Sequence, residues 1–337
     1  MNIPYRTRRI IYWVAVIAAI ALVVGAVAWL CWFTWLSRFV VYTRDGAVLD
    51  FSLPQSIPEG QVARPPETGE KISIYYNEGD NAITTNRELS QLTGYYVNRQ
   101  MLIDGVDTVR QQARQLKRGT PVMLELKSIS GNFFYSSTVA EYRDSKIDPL
   151  AVDALIKDLD NMGLYLIAQV PALRDRQYGL NNVNDGIFDS RGAYLFSDGG
   201  TYWLNPKRQG TMDYLVQVIS ELQNLGFDEV VLDYFDFPDT EYMRFDGDKA
   251  VALQEAATAI STLCTGNFTV SFVQKPGFSM PTDRNRLYVK DADAAQVQML
   301  AQMANLKDPT VQLVFWTENH DTRFEEFGVM RPLDAAH

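Results

Sequence analysis

Between residue 94 and the C-terminus, short apolar runs rich in β-branched residues alternate with amphipathic runs of helical period. Strands that are apolar on both faces need cover on both faces, so the pattern restricts the fold to a parallel sheet wrapped by helices. Strands are expected at residues 94–97, 121–126, 164–170, 229–233, 268–273 and 311–316, with a weaker one at 287–289. Helices are expected at 104–117, 210–225, 249–263 and 292–305. Another opens at Asp148-Pro149, an N-cap and a first-turn proline, and closes at Gly163. No Gly-rich phosphate loop follows any strand. The expected fold is therefore α/β, a (β/α)8 TIM-type barrel rather than a dinucleotide fold. Residues 72–76 would supply the missing strand; otherwise the barrel is incomplete or degenerate.

Residues 10–37 carry no charge. As a helix they would span ~40 Å, more than the hydrocarbon core of a bilayer. Arg6, Arg8 and Arg9 precede them, and Trp29, Trp32, Phe33 and Trp35 gather at the far end. A basic flank and an aromatic belt predict one transmembrane helix with a cytoplasmic N-terminus. Cleavage after Ala26-Val27-Ala28 is the rival reading, but the apolar run continues to Leu36, too far for an ordinary signal peptide. The expected organisation is a cytoplasmic tail (1–9), a transmembrane helix (10–37), a juxtamembrane stretch and Pro-rich tether (38–71) and an extracytoplasmic barrel (72–337). The protein is thus expected in the cell membrane, single-pass.

The net charge of −10 is uneven. The first 44 residues contribute +5, and the other 26 bases and 41 acids leave −15. That field excludes nucleic acid and disfavours a polyanion, while a neutral sugar is permitted. Cys31 lies in the apolar segment, far from Cys264, so no disulfide is expected. With only His320 and His337, neither a His-rich metal site nor a Ser-His-Asp triad has material to work with. No metal and no cofactor are expected.

The run Val230-Val231-Leu232 ends in Asp233, followed by Tyr234, Phe235, Asp236, Phe237 and Pro238. Side chains at the C-terminal end of a barrel strand face the active-site mouth, which makes Asp233 the leading catalytic candidate, with Tyr234 and Asp236 as contacts. Asp228 and Glu229, at the other end of the strand, are expected at the surface. Glu125 interrupts an apolar run, so it faces the mouth or pairs with Lys127, which is itself a candidate substrate contact. Trp203 and Asn205 place an aromatic face beside an amide, a combination suited to sugar rings and hydroxyls. Trp316 offers a second platform, and Glu318 a further acid.

Residues 165–238 resemble a family of glycoside-hydrolase-like proteins with a TIM-barrel domain, formerly classed as a domain of unknown function. The resemblance lies in Leu166-Ile167-Ala168-Gln169-Val170, in Trp203-Leu204-Asn205-Pro206, and in Gly226-Phe227-Asp228-Glu229 through Asp233-Tyr234 to Phe237-Pro238. Residues 94–97 and Glu125-Leu126-Lys127 with Ser130-Gly131 are similar to the family's first two strands. Two departures stand out: Asp236 replaces the family's Arg before Phe-Pro, and Ser128-Ile129-Ser130 replaces acids after Lys127. The strand at 268–273 also ends without a carboxylate.

Together with the anchor expected at residues 10–37, the resemblance implies an extracytoplasmic protein, held at the membrane, acting on or binding cell-surface polysaccharide or oligosaccharide. Asp233 would be nucleophile or base, with Glu318 or Glu125 as acid. The departures keep two alternatives open: a catalytically inactive glycan-binding pseudoenzyme and a cell-envelope scaffold.

Overall fold

The computed structural model describes residues 89–333 and, nearer the N-terminus, the strands Val40–Thr43 and Gly46–Leu49, which pair antiparallel with Val40 opposite Leu49. The predicted span 10–37, the Pro-rich tether and the strand predicted at 72–76 lie outside the described residues. Among the described residues no helix is long and apolar enough to cross a membrane. The chain divides into Met1–Gly79 and Asp80–His337, and the second unit holds the barrel.

Eight parallel strands close that barrel: β1 (Thr93–Val97), β2 (Pro121–Glu125), β3 (Tyr165–Pro171), β4 (Glu229–Asp233), β5 (Thr269–Val273), β6 (Leu287–Lys290), β7 (Leu313–Trp316) and β8 (Gly328–Pro332). Closure is made by β8 on β1, with Met330 opposite Gly94 and Arg331 opposite Tyr95. The eighth strand therefore comes from the C-terminal end. Its sequence, Gly-Val-Met-Arg-Pro, hides it, because glycine and proline both weaken a strand signal.

Helices α1 (Arg99–Ala113), α2 (Pro149–Asn161), α3 (Gln209–Asn224), α4 (Lys249–Ser261) and α5 (Val297–Met303) lie after β1, β2, β3, β4 and β6. Between β5 and β6 there is no helix, and between β7 and β8 only the 3₁₀ segment Thr322–Glu326. All the strands are thus present while the outer layer is reduced, which is how a chain short for eight full units still closes. Capping follows side-chain chemistry. The Asn98 side chain accepts from Met101 N at 3.0 Å to open α1, earlier than expected, and Asp148 accepts from Leu150 N at 3.0 Å to open α2. Gly94 lets β1 approach β2: a Cβ there would meet the Pro121 carbonyl oxygen at 2.4 Å.

Strand alternation separates two kinds of core. Val230 and Leu232 of β4 point outward into the cluster shared with the helices. Val231 points inward with Met123, Ile167, Tyr288, Val314 and Met330. Glu229 and Asp233 share the parity of Val231, so both face the barrel axis. This corrects the surface placement expected for Glu229. It is fully buried, with Oε2 2.5 Å from Arg286 Nη1 and accepting from Tyr165 OH at 3.1 Å, and Oε1 accepting from Tyr288 OH at 3.0 Å. Burying that carboxylate is tolerated because a guanidinium and two phenols replace its water. Asp228 is part-buried and accepts from Leu166 N at 2.8 Å.

Candidate active site at the barrel mouth

Asp233 ends β4 and is 5% exposed. Its Oδ2 lies 2.5 Å from Lys290 Nζ, at the end of β6, and accepts from Gln169 Nε2 of β3 at 2.9 Å. Its Oδ1 accepts from Tyr234 N at 2.9 Å. Tyr234 itself has φ +50°, a left-handed conformation rare for a non-glycine residue. Such strain, of order 1–3 kcal/mol, persists where surrounding structure enforces it. Here it makes the turn that leaves β4 immediately behind the carboxylate.

Lys290 is the hub of the mouth. Its ammonium lies 4.1 Å from the centre of the Trp316 ring and 5.7 Å from that of Tyr234. Trp316 packs on Tyr96, ring centres 5.4 Å apart, and Tyr96 OH donates to Glu318 at 3.3 Å. Glu318 is exposed, so it belongs to the rim rather than the floor.

Glu125 ends β2 and accepts from Arg99 N, in the first turn of α1, at 2.7 Å. Burial raises its pKa. The Arg99 N–H bond and the Lys290 charge pull it back, and the Asp233 charge pushes it up. The carboxyls ending β2 and β4 are therefore within electrostatic reach of each other, and the Lys290 charge acts on both. Asp236 is part-buried. Its pKa is raised by burial, lowered by Lys275 and raised by Asp233. Its Oδ1 is buried with no hydrogen-bond partner among the described residues.

Three predicted contacts are placed elsewhere. Lys127 is buried 2.5 Å from Asp175, between the rings of Phe133 and Tyr214. The strand ends at Glu125, and the chain then turns away from the axis, so the expected Glu125–Lys127 contact gives way to a Lys127–Asp175 pair. Trp203 is buried and meets Tyr234 edge-on, ring centres 6.3 Å apart. The Arg174 guanidinium lies 5.5 Å from the Trp203 ring and 5.3 Å from that of Tyr234. Trp203 thus supports Tyr234 instead of offering an open stacking face. The Asn205 side chain accepts from Lys207 N at 2.9 Å, shaping a turn.

Lys290 and Gln169 were not among the sequence candidates. The weak strand was expected to stop at Val289, one residue short of Lys290. An apolar run ending in a charge, the pattern that marks Asp233, is also present in Leu287-Tyr288-Val289-Lys290. No group of His, Cys, Asp and Glu that could hold a metal ion occurs among the described residues.

Residues 96–266, which run from the end of β1 through β4 and α4 and hold Glu125 and Asp233, match the model of the family described as "Putative glycosyl hydrolase domain". The chain belongs to this family. Its barrel is similar to that of an α-galactosidase from Geobacillus stearothermophilus in complex with raffinose, at 13% identity and a TM-score of 0.51, covering 73% of this chain and 39% of that one. A second likeness is to the α-galactosidase from Lactobacillus brevis, at 13% identity and a TM-score of 0.50, covering 75% and 40%. At such identities the likeness is one of fold, and the chain spans about 40% of the length of these enzymes. A hypothetical protein from Ruminiclostridium thermocellum shares 18% identity over 53% of this chain and 96% of its own, with a TM-score of 0.46. No curated protein matches the chain.

Proposed function

We propose that this family member is a membrane-anchored, extracytoplasmic glycoside hydrolase acting on cell-surface polysaccharide, with Asp233 as nucleophile or base and Glu125 as acid. One observation carries the reading. Two carboxyls at strand exits of the same mouth stand in different settings, Glu125 raised by burial and Asp233 paired with Lys290. Glycoside hydrolysis needs such an unequal pair, one protonated and one ionised. Glu125 donates its proton to the departing glycosidic oxygen. Asp233 either attacks the anomeric carbon or deprotonates the attacking water. Trp316 and Tyr234, both part-buried at the mouth, supply ring faces for the sugar. Anchoring through residues 10–37 rests on their uncharged sequence and basic flank.

A second reading is supported by Asp233 being 5% exposed, with Lys290 and Gln169 both on Oδ2: the mouth binds glycan without cutting it. Reducing ends released from a broad polysaccharide panel separate the two. Cleavage by the parent that is lost in Asp233→Asn, with binding retained, supports hydrolysis. Binding with no cleavage by the parent on any polysaccharide removes the enzyme reading and leaves the binder. Membrane-fraction protein that salt washing does not release supports the anchor, and soluble protein beginning near Trp29 overturns it.

A further inference from the structure

A concavity of about 390 Å³ is lined by residues of the loops that follow β3 and β4. Three cations line it, Lys207, Arg208 and Arg244, with Asp246 the single acid. They come from separate stretches, the β3–α3 connection and the β4–α4 connection. A short antiparallel pairing, Met243 opposite Asp189 and Arg244 opposite Phe188, holds these loops together. Lys207 Nζ lies 5.7 Å from the centre of the Phe245 ring. Phe245 in turn packs on Phe237, ring centres 4.5 Å apart, four residues beyond Asp233.

Gathering three cations costs free energy through mutual repulsion. The compensation visible here is small. Arg244 meets Asp246 at 3.5 Å with both side chains mostly exposed, a pair of little worth. Among the described residues neither Lys207 nor Arg208 has an ion-pair partner. Acids more than roughly 8–10 Å away are screened, so the lining itself, three cations against Asp246, weighs most in the pocket. Half-buried Phe188 and Phe245 add apolar faces of the kind a sugar ring covers.

We infer that this pocket binds the carboxylate or phosphate of an acidic sugar residue in the glycan handled at the barrel mouth. The inference rests on the glycan reading above and names the substrate class: a glycan carrying isolated acidic residues, not a dense polyanion, which the overall charge of −10 would repel.

The test is calorimetric titration of the full-length protein with galacturonic acid, its methyl ester, glucose 6-phosphate, glucose and inorganic phosphate. The charged sugars are expected to bind more tightly than their uncharged counterparts. Lys207→Gln and Arg244→Gln are each expected to weaken the charged sugar roughly tenfold, as for one lost charge-assisted hydrogen bond. Lys307→Gln, which removes an exposed cation paired with Asp283, serves as the control and leaves binding unchanged. Whichever of uronate and sugar phosphate responds identifies the oxyanion. Equal affinity for charged and uncharged sugars, indifference to both variants, or inorganic phosphate binding as well as the sugar phosphate overturns the inference. If it fails while neutral oligosaccharides still bind, the glycan reading stands; if no saccharide binds, both fall.

Discussion

Lys290 Nζ lies 2.5 Å from Asp233 Oδ2, joining the exits of two strands separated by 57 residues of chain. The pair lies at the open end of the barrel axis, with the lysine side chain 32% exposed and the aspartate 7%. It places a cation against the carboxylate that ends β4.

Removing the lysine leaves a nearly buried carboxylate without its cation. Lys290→Met is expected to destabilise by about 1–3 kcal/mol, less than for a fully buried pair because the lysine is partly solvated. Without the ammonium Oδ2 keeps only the Gln169 amide as a partner, so any turnover that uses Asp233 is expected to fall. Urea unfolding and a turnover assay measure the two effects, and unchanged turnover would show that Lys290 does not govern Asp233.

Asp233→Asn keeps the shape and removes the charge. Cleavage is expected to fall by about 10²–10⁴-fold if Asp233 is the base, and further if it is the nucleophile. Oligosaccharide affinity is expected to change little. Parallel assays of turnover and equilibrium binding test this, and equal loss of both would indicate a structural role.

The base of the barrel is predicted to matter for stability alone. Glu229→Gln leaves Arg286 buried without its counter-charge, at an expected cost of about 3–5 kcal/mol. The double variant Glu229→Leu with Arg286→Met should recover much of that, since no unpaired charge remains. Denaturant midpoints of the three proteins decide. A single variant as stable as the parent contradicts the pairing.

Glu125 gives a pH dependence of defined sign. Its folded pKa is raised, so the native state holds the proton more tightly than the unfolded chain. Stability therefore declines as pH rises from the ordinary glutamate range through the raised folded value, and is level beyond it. Glu125→Gln, which can still accept the Arg99 N–H, should be more stable than the parent at neutral pH, with the difference vanishing in acid. Unfolding curves at acid and neutral pH test this, and a variant that gains most in acid has the wrong sign. If Glu125 is the acid, cleavage is also lost as pH rises through the same value.

Local pattern was enough for much of this barrel. The residues expected as a strand at 229–233 match β4, and Asp148-Pro149 opens α2 as its side-chain chemistry demands. Asp233 was legible because an apolar run ending abruptly in an acid has one natural place in a barrel. Lys290 carried the same signature in a run too short to register. β8 had almost none, because Gly328, Arg331 and Pro332 dilute it. Lys127 misled for a different reason: two residues from Glu125 implies the same face only while the strand continues, and β2 ends at Glu125.

The amino-acid order by itself determined the alternation of strand and helix, the caps and the acid at the β4 exit, since each depends on neighbours within a turn or a pleat. Tertiary structure alone decided which charges meet: Lys290 with Asp233, Arg286 with Glu229, Lys127 with Asp175. A buried charge is tolerable only beside its partner, and the packing of the barrel's strands and loops is what brings partners 48 to 57 residues apart to within 2.5 Å.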